Sequence, residues 1–108
     1  MNYLYEESNT NNEMRLFDLS TINFYKNYNN NKELKERIKK ELDNKKIKYN
    51  LKKNKFCCYY KNDNKFDIDI YMINEVKNIY IIKCIKKIGN INEIKYIFKL
   101  ILSKLNYR

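Results

Sequence analysis

The chain has 108 residues, a formal net charge of +10 and 44% hydrophobic residues, which suits one domain around one core. It has no histidine, no proline, no tryptophan and a single glycine. The commonest general base and metal ligand is therefore missing, and a glycine-rich phosphate loop is excluded. No apolar run approaches the roughly 20 residues needed to span a bilayer.

The start, MNYLYEESNTNNEM, is acidic and polar and does not read as a secretory signal. Residues 1–13 are expected to be disordered, being Asn-rich and without periodicity. A single domain is expected over 14–108. Within it, Leu16, Phe17, Leu19, Ile22 and Phe24 form a short apolar cluster, a strand or an extended arm laid on the core. Asn27 to Asn31 reads as a linker.

A helix follows from about Lys32 to Lys46. Leu34, Ile38 and Leu42 recur every four residues, a narrow apolar stripe on a charged helix. Asn31 is the expected N-cap. Glu33 and Glu36 in the first turn and Lys45 and Lys46 in the last suit the helix dipole. Ile47, Tyr49 and Leu51 alternate with polar residues as a strand, and Phe56 to Tyr60 makes another. Three cysteines, Cys57, Cys58 and Cys84, give an odd count, and adjacent cysteines fit neither a zinc nor a redox spacing. They are expected to be reduced, structural and intracellular. Residues 61–65, KNDNK, form a turn.

From Phe66 onward the pattern is strongest. Phe66, Ile68, Ile70 and Met72 alternate with Asp67, Asp69 and Tyr71, a strand with one buried face. Ile79 to Ile88 is a strand with apolar residues in both phases, which implies that both sheet faces are covered. Gly89 then turns the chain, with positive φ the expected reason for glycine there. Asn90 and Glu93 form a capping pair for a last helix. Ile94, Ile97, Phe98, Ile101, Leu102 and Leu105 make its apolar stripe. The expected fold is α+β: a four-stranded antiparallel sheet with two helices on one face, in the order α-β-β-β-β-α, behind an extended N-terminal arm.

No nucleophile elbow or kinase glycine loop is present. Asp67 and Asp69 share a strand face and read as solvated. The chain alone is therefore not expected to be an enzyme, nor to carry a metal or cofactor. Asn, Lys, Ile and Tyr abound, as A/T-rich codons produce, so the lysine excess alone does not identify an acidic partner. Eleven tyrosines and the basic charge are compatible with nucleic-acid binding. The tyrosines are dispersed, however, and no reader motif accompanies them.

The stretch from Met14 to Leu105 resembles kinase-associated domain 1, the C-terminal domain of microtubule-affinity-regulating, AMP-activated and, in related form, checkpoint serine/threonine kinases. FDIDIYMI at 66–73 matches one family strand, and IIKCIKKIG at 81–89 matches the next in register. Ile94, Ile97, Ile101 and Leu105 stand five, eight, twelve and sixteen positions after Gly89, as in the family's final helix. NKELKERIKKELDNKKIKY is similar to its first helix and strand, and MRLF to its opening arm. Cys84 stands where the family has a phenylalanine, and Ile85 where it has a basic residue.

The resemblance implies a regulatory domain that binds acidic phospholipid head groups and can hold a kinase domain inactive in cis. Lys83, Lys86, Lys87, Lys95 and Lys99 are the implied contacts, and a cytoplasmic, peripherally membrane-associated protein is the implied setting. The alternative is a module docking a partner subunit without lipid. Its contacts would be Tyr71, Ile73, Tyr80 and Ile82, provided that their phase of the sheet faces outward.

Overall fold

The computed structural model describes residues 3–7, 21–61 and 63–105. The described elements are β1 (Tyr3–Glu7), β2 (Thr21–Asn27), α1 (Asn31–Asn44), β3 (Lys48–Lys52), β4 (Lys55–Tyr60), β5 (Asn64–Asn74), β6 (Ile79–Ile88) and α2 (Ile91–Lys104). All strand pairs are antiparallel, in the order β1-β2-β6-β5-β4-β3. The run from α1 to α2 has the expected element order. The expected four strands are too few. β2 adds a fifth against β6, and β1 pairs outside it, within residues expected to be disordered. Both additions depend on partners some 60 residues or some 20 residues away, which local periodicity cannot reveal. The part of the proposed arm at Leu16, Phe17 and Leu19 lies outside the described residues.

The strands bury one phase. Phe56, Cys58, Phe66, Ile68, Ile70, Tyr80, Ile82 and Cys84 join Leu34, Ile38 and Leu42 of α1 and Ile94, Ile97, Phe98, Ile101 and Leu102 of α2 in a single core. Both helices therefore lie on one face of the sheet, in contact with each other. Burial of this phase, at about 1.5–3 kcal/mol for each large side chain, is the dominant stabilising term. Polar groups join the helices at one edge. Arg37 Nη2 donates to the Lys104 carbonyl at 3.2 Å. It also lies 3.6 Å from Glu41, whose buried carboxylate accepts from Lys45 at 3.0 Å.

Two local expectations shift by one residue or more. The N-cap of α1 is Asn30 and not Asn31: Asn30 is extended and its Oδ1 accepts from the Glu33 N–H at 2.8 Å. Lys45 and Lys46 lie beyond the last helical turn, where Lys45 is the C-cap and Lys46 has φ +58°. At α2 the expected cap is formed, with Asn90 Oδ1 accepting from Asn92 and Glu93 at 2.9 and 3.1 Å. Two register shifts interrupt the β5–β6 ladder, adding Lys87 at one end and Ile73 at the other.

Candidate anion-binding surface

The alternation of a strand decides where the candidate lysines go. Tyr80, Ile82 and Cys84 are buried under the helices, so Lys83 projects from the opposite, outer face of the sheet. Lys86 continues the helix-side phase, opposite Phe66. Lys87, the bulged residue, reaches the outer face, where its Nζ is 3.6 Å from Asp67 Oδ2. Lys95 and Lys99 belong to α2 and thus to the helix layer. The five lysines are therefore divided between the two sides of the sheet and do not make one patch.

The same rule corrects two of the four candidate docking residues. Tyr80 and Ile82 are fully buried, whereas Tyr71 and Ile73 are each 50% exposed. The phase of β6 that bears Tyr80 and Ile82 faces inward because both helices cover it.

A different set of basic residues shares the outer face. The pairing register aligns Lys48 and Asn50 of β3 with Tyr59 and Cys57 of β4, and Lys52 with Lys55. It aligns Tyr59 with Lys65, Cys57 with Asp67 and Lys55 with Asp69 on β5. It also places Lys83 opposite Asp69 on β6. Lys48, Lys52, Lys55, Lys65 and Lys87 are exposed and Lys83 is half-buried. Two aromatic rings stand among them: Lys65 Nζ is 5.4 Å from the Tyr59 ring centre, and Tyr71 lies at the end of the strand.

Against these six lysines β5 sets two carboxylates, Asp67 and Asp69, and neither is solvated as expected. Asp67 and Asp69 are only 7% and 6% exposed. Asp67 tolerates burial because cations from both neighbouring strands flank it. Asp67 Oδ2 lies between Lys55 at 3.9 Å and Lys87 at 3.6 Å. Asp69 stands between Lys55 and Lys83 in register and accepts from the Tyr71 hydroxyl at 3.2 Å. The Asp69 carboxylate in turn raises the Tyr71 pKa, since a phenolate there would face a second negative charge. Lys55 and Lys87 thus pair with buried Asp67, whereas Asp69 Oδ1 is buried without a hydrogen-bond partner. Lys48, Lys52 and Lys65 are the exposed charges left for an external anion.

The cysteines are all free thiols. Burial, reinforced by nearby acidic groups, pushes Cys58 and Cys84 well above the ordinary thiol range. Sequence reasoning missed the outer-face lysines on β3, β4 and β5 because they are scattered over 18 positions and converge only through register. The alternation that exposes them was nevertheless readable. No protein-family model matches the chain, and no curated protein matches it in sequence.

Proposed function

We propose that this chain is a non-catalytic regulatory domain that binds the anionic phospholipid surface of a membrane, of the kind that ends serine/threonine protein kinases. The observation that carries the reading is the outer face: a lysine-bearing sheet surface, with no helix over it among the described residues and with Asp67 and Asp69 of β5 buried beneath it. A flat bilayer of acidic head groups is complementary to such a face. Each of Lys48, Lys52 and Lys65 near it contributes about 1 kcal/mol. The α-β-β-β-β-α order supports the kinship with kinase C-terminal domains. In that setting, membrane capture and docking on a kinase domain in cis compete for one surface, so lipid would relieve inhibition. The attachment is peripheral in this reading: among the described residues no helix is long and apolar enough to cross a membrane.

The structure changes which lysines test the idea. Reversing Lys87 would strip a counter-charge from buried Asp67, and reversing Lys83 would set a carboxylate opposite buried Asp69, so either would confound lost binding with lost folding. Lys48→Glu, Lys52→Glu and Lys65→Glu together remove only exposed charge. This variant should sediment with phosphatidylserine vesicles at least about a hundred-fold more weakly than the unmodified chain. A control triple on the helix layer, Lys40→Glu, Lys99→Glu and Lys104→Glu, should retain most of the affinity. Equal loss in both would assign binding to net charge and not to a face. Absence of vesicle binding by the unmodified chain would favour docking of a partner subunit.

A further inference from the structure

Seven large apolar side chains are well exposed among the described residues, and four of them, Tyr71, Met72, Ile73 and Val76, fall within six positions at the β5–β6 hairpin. Val76, at the tip, is 92% exposed. This hairpin outruns its neighbour: β4 pairs with β5 only as far as Lys55↔Asp69, so the later residues of β5 continue without it. Such a cluster would be a liability on a mobile loop, yet the tip is braced. Asn27 Nδ2 donates to the Lys77 carbonyl, and Tyr28 N–H to the Asn78 carbonyl, each at 3.0 Å. Lys77 N–H donates to Asn74 Oδ1 at 2.9 Å. Asn78 closes the turn at φ +53°, a conformation that asparagine adopts more readily than most residues.

Basic residues flank the base of this apolar tip on the β3–β4 side. The β3–β4 turn lies at the same end of the sheet, with the Asn54 carbonyl accepting from Ile70 N–H at 2.9 Å. Lys52, Lys53 and Lys55 line a cleft there with Tyr71. Lys35 of α1 leans over the turn and donates to the Lys53 carbonyl at 3.4 Å. Lys77 sits on the tip itself. Acids are present at this end too: Glu75 on the tip, Glu33 and Glu36 near Tyr28 at the start of α1, and Asp69, which accepts from the Tyr71 hydroxyl.

We infer that the β5–β6 hairpin is a membrane-inserting wedge: Met72, Ile73 and Val76 enter the hydrocarbon boundary while Lys52, Lys53 and Lys77 hold lipid phosphates around them. The inference rests on the membrane reading above and adds to it a depth and an orientation, tip first. An apolar tip with lysines beside its base matches a bilayer, which offers hydrocarbon and phosphate at successive depths. Tyr71 stands at the boundary between them, the level that tyrosine favours. The pre-formed turn lowers the ordering cost of insertion.

The chain has no tryptophan, so Val76→Trp places a unique tryptophan at the tip without disturbing the core, and red-edge excitation reads it apart from the tyrosines. With phosphatidylserine vesicles its emission should shift to the blue and be quenched by brominated acyl chains. Ile73→Asn with Val76→Asn should weaken vesicle affinity by at least about tenfold at constant salt, with unfolding by urea unchanged. Val76→Trp protein that sediments with vesicles but shows neither shift nor quenching overturns insertion and leaves surface binding standing. Failure of the unmodified chain to sediment overturns the membrane reading, and insertion with it.

Discussion

Gly89 turns the chain from β6 into α2 at φ +117°. A Cβ there would collide with the Asn64 side chain and lie 2.6 Å from the Asp63 carbonyl. Asn64 cannot simply swing away, because its Oδ1 accepts from the Asn90 N–H at 2.9 Å. Gly89→Ala should therefore destabilise the fold by about 3 kcal/mol or more, combining backbone strain with overpacking, as read by urea unfolding. The glycine's role was legible because the chain places its single glycine between a strand and a capped helix, where a sharp turn is needed. The two aspartates were not legible: Asp67 and Asp69 look solvated in an alternating pattern, and only the pairing of the strands brings Lys55 and Lys87 to buried Asp67. The thiols make a second residue-scale prediction. Cys58 and Cys84 have raised pKa values when folded, so the folded state holds their protons after the unfolded thiols have lost theirs. Stability should be level with respect to these groups below the ordinary thiol value of 9.0 and fall as pH rises above it. Replacing both with valine should flatten that alkaline decline in urea midpoints, and an unchanged slope would remove the thiols as its cause.

At the scale of elements, the strongest periodicities became the best-defined elements. The alternation over 66–72 became β5, and the stripe from Ile94 to Leu105 became α2 with its apolar side buried. Elements built by distant pairing were harder to read: β2 is a strand because β6 offers it an edge. The end of α1 carries an uncommon solution to a common problem. Ile47 N–H bonds the Leu42 carbonyl at 2.9 Å, and Lys46 N–H bonds the Asp43 carbonyl at 3.0 Å. This double closure ordinarily places glycine at the left-handed position, which is held here by Lys46 at φ +58°. Relief of side-chain strain outweighs the extra freedom that glycine has when unfolded. Lys46→Gly should therefore stabilise the chain by about 0.5–1 kcal/mol, seen as a higher urea midpoint at unchanged slope. A destabilised variant would mean that the lysine side chain contributes more than its backbone strain costs.

Across the whole molecule, the two sides of the sheet differ in kind. One is a core sealed by α1 and α2; the other presents Lys48, Lys52 and Lys65 beside Tyr59 and Tyr71, and ends in an exposed apolar hairpin. Lysines close in sequence, Lys83 to Lys99, are parted by this layering, whereas lysines far apart on β3, β4 and β5 are gathered by it. The resemblance implied Lys83, Lys86, Lys87, Lys95 and Lys99 as contacts, and the layering divides these five between the two sides of the sheet. The most direct test of membrane binding is co-sedimentation of the unmodified chain with phosphatidylserine-containing and neutral vesicles across a salt series. Between about 0.01 and 0.15 M salt the screening length shrinks from about 30 to 8 Å. Binding to the anionic vesicles should be strong at the lower end and weaken steeply toward the upper, with little binding to neutral ones. No binding to anionic vesicles even at low salt, or equal binding to both compositions, would contradict the account.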